Sequence, residues 1–542
     1  MAANFLQTLM TNLLTPLLSP FILVLLPIFA GLLILAPFFP NNAVKIRRYA
    51  KGFYIFHLVY SLCFMLFLNP MGASFGFLEK LPFDIIPAAF VSEGLNSGIT
   101  ISFGLDNLSA LMCVFASFIM LLALIASKSM ITSKQRLFYS MMLLLGGFLT
   151  GIFAANDLFT FFIFWELEII PAYFLISMWG GTNAKKSAMK FVLFTFLGSI
   201  LMFISTALIY AFAFDINMLT DFDSLINRTV EIPLLVQLLA VIGFLAAFAV
   251  KMPVFPFHTW LADAHTEAPT PVSMVLAGVM LKTAVYGMIR INIQMFYEMF
   301  QIVAPALIFL GTAGILWASY LAVSQSDIKR MVAYSSIAHM GVILIGLASF
   351  TEYGLNGAVY HSIAHGLIAA GLFMGTGIIY LKFKTRKIGL LGGISKYAPK
   401  LCALFFILCA ASMAIPFTMG FLGELMCFMG GFNSPLLDKT FFLSNLIQPA
   451  VLFGALGVIL SAIYILRLLH RTFFGLSEYK YGDCEDISLE GERNIQLSNH
   501  QSIVLTVLAI GVIIFGLYPM GILDKISAFS ALNIETILTN IF

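Results

Sequence analysis

Charged residues are scarce in this chain of 542 residues. Asp, Glu, Lys and Arg together make up 10% of the sequence, whereas soluble globular proteins contain about 25%. Hydrophobic residues account for 61%, and apolar runs of about 20 residues, each long enough to cross the hydrocarbon core of a bilayer, recur along the chain. This composition excludes a soluble enzyme and a disordered chain. The unbroken runs also exclude a β-barrel, which would show short alternating segments.

The sequence also lacks the motifs of common cofactor chemistries. Its six cysteines form no CxxC pair, and we interpret them as small buried side chains and not as metal ligands or disulfides. It contains no GxxxxGK[ST] phosphate-binding loop, no dinucleotide-type GxGxxG after a strand and no CxxCxxC iron–sulfur run. We therefore expect no cofactor and no metal in this chain, and no electron transfer through it.

The apolar runs predict an all-α polytopic membrane protein with about 14 transmembrane helices. Polar loops separate runs at residues 18–38, 52–69, 107–126, 137–155, 157–179, 188–213, 233–257, 271–293, 302–323, 332–350, 356–381, 400–431, 449–470 and 501–519. The first run lacks a basic leader and a small-residue cleavage site, which favours a retained helix over a signal peptide.

The distribution of basic residues predicts how these spans are oriented. Lys and Arg concentrate in the cytoplasmic loops of membrane proteins, and 22 of the 29 basic residues lie in the loops after spans 1, 3, 5, 9, 11 and 13. The opposite side receives Lys80, Arg228, Arg290, Lys439 and Lys525. Both termini are therefore expected on the non-cytoplasmic side, and only Lys251 and Lys282 are left inside hydrophobic segments.

Ionisable residues inside the spans are the main functional candidates, because a charge at mid-bilayer costs roughly 2.5–3.5 kcal/mol. Those predicted near mid-depth are Glu166 in span 5, Lys282 in span 8, His339 in span 10 and His365 in span 11. A Lys in a low-dielectric site binds its proton less tightly, and a nearby carboxylate restores the affinity. Histidine, with an ordinary pKa near 6.5, suits the intermediate steps. These residue types predict a proton relay.

Two further charged residues lie beside predicted helix breaks. Lys251 precedes Pro253 and Pro256, and Glu424 follows Pro416 and a glycine-rich stretch; each proline removes a helix hydrogen bond. Broken helices at membrane depth are typical of ion sites in transporters, because such backbone must be buried in protein or face water. The breaks fall in spans 7 and 12, which run in opposite directions, and they predict two inverted five-helix repeats, spans 4–8 and 9–13.

This organisation divides the chain into five regions. We assign residues 1–106 to helices 1 and 2 with an outer loop, 107–136 to helix 3 and its connection, 137–300 to the first repeat, 301–472 to the second repeat, and 473–542 to a cytoplasmic loop, helix 14 and the tail.

Five more residues are secondary candidates, namely Glu168, His258, Asp263, His265 and His361. Glu168 is expected about 200° round the helix from Glu166, where it is either a secondary acid or a helix contact. The residues between 258 and 265 suit a proton entry path or a loop anchor better than a metal site, because the ligands are too few. The structural alternatives are an ion network that merely orients helices and neutral histidines in the core.

Six segments carry a resemblance to one known family. They are FWE with Glu166, KMPVFPFHTWLADAH from Lys251, AGVMLKTAVYGMIR with Lys282, DIKRMVAYSSIAHMG with His339, HSIAHGLIAAGLF with His365 and GFLGELM with Glu424. Over about residues 100–520 the chain resembles the antiporter-like membrane subunits of respiratory complex I and of multi-subunit cation/proton antiporters. Glu at the break of span 12, where relatives have Lys, is typical of the M-type subunits.

The resemblance implies roles for these residues. Glu166 and Lys251 would be the coupling ion pair, Lys282 and the histidines a central hydrophilic axis, and Glu424 the exit-side group. The whole chain would be a proton-pumping subunit of an NADH- or NAD(P)H-quinone oxidoreductase. FMN, iron–sulfur clusters and quinone would belong to partner subunits, which include neighbouring antiporter-like chains.

The resemblance also implies a place in the cell and leaves alternatives open. The expected location is a bacterial plasma membrane, or a thylakoid or organelle inner membrane, with no nucleic-acid partner. The electron donor (NADH, NADPH or ferredoxin) and the quinone stay open. The alternative function is a subunit of a Na⁺/H⁺ antiporter without redox partners, and a third possibility is a scaffold that only spaces its neighbours.

Overall fold

The computed structural model describes residues 19–67, 77–84, 100–215, 220–438, 444–475 and 496–526. Its helices are α1 (Pro20–Leu35), α2 (Ala43–Phe67), α3 (Asn107–Ala126), α4 (Gln135–Ala154), α5 (Leu158–Leu167), α6 (Ile169–Trp179), α7 (Ala184–Asp215), α8 (Phe222–Arg228), α9 (Leu234–Lys251), α10 (Thr259–Glu267), α11 (Thr270–Val275), α12 (Leu281–Gly287), α13 (Tyr297–Ser324), α14 (Ile328–Ala348), α15 (Glu352–Phe383), α16 (Ile394–Tyr397), α17 (Pro399–Ser412), α18 (Met419–Phe432), α19 (Ile447–Ala455), α20 (Gly457–Leu469) and α21 (Asn499–Leu517). Cys484, Lys439, Lys480 and Arg493 lie outside the described residues.

The helices confirm the all-α polytopic class. Within the described ranges, 12 helical segments are long and apolar enough to cross a membrane, and Pro20–Leu35 and Pro399–Ser412 are shorter apolar helices. Each of the predicted spans overlaps one or more of the helices. The count of 14 crossings and the two inverted repeats stay predictions.

Two segments form the enclosed centre of the helical bundle. In Thr270–Met295 and Glu352–Phe383, every residue of the hydrophobic window is buried, whereas only 28% of the window in Ala43–Leu66 is buried. Leu193 and Phe29 on the outer helices are more than half exposed, at 60% and 70%. Because their surfaces are apolar, the outer helices are suited to lipid, while the hydrophobic windows of the two central segments are enclosed by protein.

A short hairpin precedes the third helix, in a region where the sequence predicts only an outer loop. Strand β1 (Phe77–Asp84) pairs antiparallel with β2 (Thr100–Leu105). Strand β2 leads directly to Asp106, whose Oδ1 accepts the Ser109 N–H at 2.8 Å. The Ser109 hydroxyl in turn accepts the Asp106 N–H at 2.7 Å. This capping box fixes the start of α3.

The first predicted helix break is present between α9 and α10. Helix α9 ends at Lys251, and α10 begins at Thr259. Backbone groups freed by the prolines find other partners: the Val254 N–H donates to the Ala249 carbonyl at 2.8 Å, and the Trp260 indole N–H donates to the Val250 carbonyl at 2.8 Å. These bonds make an irregular segment tolerable inside an apolar bundle.

The second predicted break separates α17 from α18. Helix α17 ends at Ser412 and α18 begins at Met419. Ala414 and Phe417 within the break have φ values of 53° and 71°, in the left-handed region that favours glycine. A Cβ at Gly420 would overlap the Ala411 carbonyl oxygen, so only glycine lets the two half-helices approach this closely.

Candidate functional site

Lys251 forms a buried ion pair at the break after α9. Its ammonium contacts the Glu168 carboxylate, and the two side chains are 1% and 0% exposed. The Lys251 Nζ also lies 3.5 Å from the ring centroid of Trp165, a distance at which the ring quadrupole attracts the cation. The site is therefore a cation held between an acid and an aromatic face, and it is shielded from solvent.

The partner of Lys251 differs from the one that the resemblance implies. The carboxylate in direct contact with Lys251 belongs to Glu168, while Glu166 acts on the Lys251 ammonium through its charge. Two residues along a helix rotate the side chain by about 200°, and the face toward Lys251 is that of Glu168, which joins α5 to α6. Glu166 keeps one buried carboxylate oxygen, Oε1, with no hydrogen-bond partner among the described residues.

Lys282 lies at the centre of the bundle, in an unusual stretch of helix. Helix α12 is flanked by π-helical turns at Leu276–Met280 and Met288–Met295, and π turns inside helices are frequent at functional sites. The Lys282 ammonium donates to the Ala277 carbonyl at 2.5 Å and lies 2.7 Å from His365 Nδ1. Lys282 is fully buried, so its hydrogen bonds are made entirely inside the protein.

Three histidine rings continue from Lys282 in a row. The ring centroids of His365 and His339 are 5.4 Å apart, and those of His339 and His361 are also 5.4 Å apart. His339 comes from α14, whereas His361 and His365 are one turn apart on α15, which places them on one face. The two helices thus bring the His339 ring next to those of His361 and His365, which lie more than 20 residues further along the sequence.

Glu424 ends this row beside the second helix break. His339 Nδ1 lies 3.0 Å from Glu424 Oε1, and His361 Nε2 lies 4.0 Å from the same oxygen. The structure therefore brings together four of the six main candidates, in the order Lys282, His365, His339 and Glu424. We call these four residues the central row. Within the described residues, no direct polar contact joins Lys251 to the central row.

The secondary candidates His258 and Asp263 lie at the end of the bundle that carries the basic loops. Asp263 accepts a hydrogen bond from Lys190 at 2.7 Å and forms an ion pair with Arg330 at 3.2 Å, while His258 packs against Phe255. A cavity of about 710 Å³ opens here and is lined by Asn183, Lys186, Ser187, Met189, Lys190, Leu193, Phe194, Asp263, Thr266, Glu267 and Arg330. Asp263 is thus tied to two cations at the wall of a wide, partly polar cavity.

His265 is deeply buried nearby. Its ring stacks on Phe373 with centroids 5.1 Å apart. Burial, reinforced by the positive charges of Lys329 and Lys282, lowers the pKa of His265 to about 3. The imidazole is therefore neutral at physiological pH, because the apolar surroundings penalise the charged form.

Two buried basic residues were missed as functional candidates, because neither was expected inside the membrane. Arg290, predicted to lie on the outer side, is buried within Thr270–Met295 and forms an ion pair with Asp106. Lys329, predicted in a loop, is buried and donates to the Ala268 carbonyl. The sequence does mark Asp106 as unusual, since it lies between an apolar strand and an apolar helix. No feature of the sequence indicates that its partner is Arg290.

The sequence resembles known membrane subunits over most of its length. The pattern of the family described as NADH:quinone oxidoreductase/Mrp antiporter matches residues 155–446. NAD(P)H-quinone oxidoreductase chain 4 from the chloroplast of Chara vulgaris is 37% identical over 500 residues, covering 92% of this chain and 96% of the relative. A chain 4 from Trichormus variabilis is 41% identical over 456 residues, covering 84% of this chain and 81% of the relative.

Solved structures show the same fold. A chain of respiratory complex I from Thermus thermophilus superposes with a TM-score of 0.78 at 25% identity, covering 94% of this chain and 98% of that one. A chain of the Mrp complex from Dietzia superposes with the same TM-score at 20% identity, covering 94% and 96%. The second likeness concerns the fold alone.

Proposed function

Because this chain belongs to the NADH:quinone oxidoreductase/Mrp antiporter family, and within it to the chain-4 subunits of NAD(P)H-quinone oxidoreductases, we propose that its buried ionisable side chains form a proton relay. The chain is an integral multi-pass membrane protein and a proton-translocating subunit that works with other membrane subunits of the complex. The proton relay is the contribution that this chain's own residues make to proton translocation by the complex.

The observation that carries the proposal is the central row. Proton transfer needs donor and acceptor within hydrogen-bond reach or one water apart. The Lys282 ammonium meets this condition at His365 Nδ1, 2.7 Å away, and His339 Nδ1 meets it at Glu424 Oε1, 3.0 Å away. One gap remains, between two rings whose centroids are 5.4 Å apart, which a ring rotation or one water would bridge.

The proton balance along the central row is simple. Lys282 gives a proton to His365 Nδ1 and becomes a neutral amine, and the other nitrogen of the same ring releases a proton toward His339. His339 then protonates the Glu424 carboxylate through Nδ1. Each step breaks one N–H bond and forms one N–H or O–H bond, so the row transfers one net proton and needs no redox group.

In this proposal, Lys251 together with Glu166 and Glu168 controls proton transfer along the central row. Glu168 holds the Lys251 ammonium, while the buried, unpartnered Oε1 of Glu166 is available to accept a proton. A change of charge at Lys251 alters the field along the neighbouring helices, because charges interact strongly at low dielectric. The cavity at Asp263 provides a polar wall from which protons enter.

The experiment that tests the relay replaces Lys282 by methionine, which keeps the length of the side chain without the proton. We expect about a three- to tenfold slower proton translocation in membrane vesicles, equal to a barrier increase of about 0.7–1.4 kcal/mol. Lys400→Met is the matched control, since Lys400 is exposed. Equal translocation by both variants in a normally assembled complex would contradict the relay.

Glu168 and Glu166 are expected to differ in a measurable way. Glu168→Gln leaves the Lys251 ammonium without its buried partner, a loss that costs about 3–5 kcal/mol, so the thermal midpoint of the complex should fall along with translocation. The direct ion pair of Lys251 is with Glu168, and Glu166 acts on Lys251 only through its charge. Glu166→Gln should therefore lower translocation severalfold at a nearly unchanged midpoint. Equal midpoints for both variants would contradict the assignment of Glu168 as the partner.

The second candidate function, a Na⁺/H⁺ antiporter subunit, is favoured only by the family description and by the fold of the Mrp complex. The two functions predict different partners. A complex purified through this chain should reduce quinone and contain iron–sulfur clusters if the first function is correct. It should instead exchange Na⁺ for H⁺, without redox centres, if the second is correct.

Several finer assignments belong to the same proposal. Both termini lie on the non-cytoplasmic side, and the basic loops face the cytoplasm or stroma. The membrane is a bacterial plasma membrane, or a thylakoid or organelle inner membrane, in keeping with the chloroplast and cyanobacterial relatives. FMN, iron–sulfur clusters and quinone are held by partner subunits. Residues 137–300 and 301–472 form two inverted repeats, flanked by regions 1–106, 107–136 and 473–542.

A further inference from the structure

We propose that His339, His361 and Glu424 form a binding site for a divalent transition-metal ion such as Zn²⁺, and that the bound ion blocks the central row. The three side chains come from α14, α15 and α18. One ligand atom from each lies within 4.8 Å of the other two, and all three residues are buried. The metal site stands on this geometry alone, and only the block rests on the proposed function.

The donor set suits zinc. Two imidazole nitrogens and one carboxylate oxygen, with a water in the fourth position, make a common tetrahedral site with bonds of about 2.0–2.2 Å. In such a site the ligand atoms stand about 3.3 Å apart. The Glu424 oxygen is 3.0 Å from His339 Nδ1 and 4.0 Å from His361 Nε2. A movement of about 1 Å by His361 would therefore bring its Nε2 to ligand spacing from the Glu424 oxygen.

The second observation that supports the metal site is the burial and the hydrogen bonding of His361. Its side chain is fully buried, and neither ring nitrogen has a hydrogen-bond partner among the described residues. A buried polar group without a partner is costly, and Nε2 points toward the Glu424 carboxylate from 4.0 Å. A metal ion between them would satisfy both groups at once.

The surroundings support the same ligand geometry. His339 Nε2, the nitrogen that faces away from Glu424, lies 3.4 Å from Ser412 Oγ, and metal-ligating histidines usually donate their second N–H in this way. A Cβ at Gly423 would come within 2.7 Å of the His361 Cβ. Glycine at this position therefore lets α18 approach α15 closely enough for Glu424 and His361 to share a ligand.

A small cavity beside the two ligands offers room for the fourth position. Its volume is about 10 Å³, and His339, Glu424, Ser319 and Ser461 contribute to its lining. That volume is about one water-sized probe sphere. Zinc needs neutral imidazoles and an ionised carboxylate, so it competes with protons for the atoms that the central row uses. Occupancy by metal would therefore stop transfer from His339 to Glu424.

The experiment measures zinc bound to the purified, fully assembled complex, freed of metal by a chelator and then equilibrated with Zn²⁺. We expect His361→Gln to bind one zinc fewer per complex than the wild type. His57→Gln is the matched control: His57 is equally buried, but its nitrogens are already bonded to Ser117 and Leu23. That variant should bind as much zinc as the wild type. Equal zinc in wild type and His361→Gln would overturn the site.

A second variant and a second readout separate the two parts of the proposal. Gly423→Ala displaces His361 without removing a ligand, and we expect it also to bind one zinc fewer than the wild type. This variant provides the test if His361→Gln fails to assemble. Half-inhibition of proton translocation should need at least about tenfold more Zn²⁺ in either variant, a loss of about 1.4 kcal/mol in binding. Zinc bound at the site without inhibition would contradict the block and the role of the central row, while the metal site itself would stand.

Discussion

Replacing Lys251 by methionine should lower proton translocation at least about tenfold, equal to about 1.4 kcal/mol of barrier, and the assembled complex should also be less stable. Lys251 is the cation between Glu168 and the Trp165 ring. Methionine fills a similar volume and removes the charge, so the Glu168 carboxylate is left buried without its partner. Breaking a buried ion pair from one side costs about 3–5 kcal/mol, and the variant also loses the group whose charge controls the relay.

The measurement must separate loss of transport from loss of assembly. Translocation is measured in vesicles that contain equal amounts of intact complex, alongside quinone reduction by the same preparation. Lys382→Met is the matched control, since Lys382 is exposed at the end of the central helix α15, and its translocation should equal that of the wild type. Normal translocation by Lys251→Met would remove Lys251 from the mechanism.

The second large effect on proton translocation is expected when Glu424 is replaced by glutamine. Glutamine keeps the shape of the side chain and still accepts a hydrogen bond from His339 Nδ1, which is 3.0 Å from the carboxylate in the native chain. It cannot take up a proton at neutral pH, so the central row ends without an acceptor. We expect translocation to fall by about tenfold or more, while the thermal midpoint changes little because no charge is left unpaired.

Two further variants sharpen this second prediction. Glu424→Asp retains the acid but shortens it by one methylene, and it should restore part of the translocation. Glu352→Gln removes a carboxylate that is exposed at the start of α15 and should have no effect. If Glu424→Gln and Glu352→Gln behaved alike, Glu424 would be a structural contact and not a member of the relay.

The helix breaks show how much of the fold could be predicted from the sequence. Pro253 and Pro256 near Lys251, and Pro416 before Glu424, cannot donate backbone hydrogen bonds, so the interruptions follow from residue type alone. The structure places them between α9 and α10 and between α17 and α18. The π-helical turns on both sides of α12 could not be predicted, because no residue type requires the extra residue in those turns.

The ion pairs show where prediction from sequence stops. The 3.6-residue period separates Glu166 from Glu168 on the helix surface, but it does not tell which face of α5 lies toward α9. Arg290 was assigned to the outer side although it lies near the end of the run 271–293, and its burial depends on Asp106, which is 184 residues away. Such pairings are decided by how the helices pack around one another.

The enclosure of the two central segments has an electrical consequence. Thr270–Met295 and Glu352–Phe383 carry Lys282, His361 and His365, and the hydrophobic window of each segment is completely buried in protein. An ion that crosses a membrane down a potential of 100 mV releases about 2.3 kcal/mol, so any continuous water-filled passage through this chain would discharge the membrane. The packed helices around the central row prevent such a leak, and in the proposed relay protons cross only by transfer between side chains.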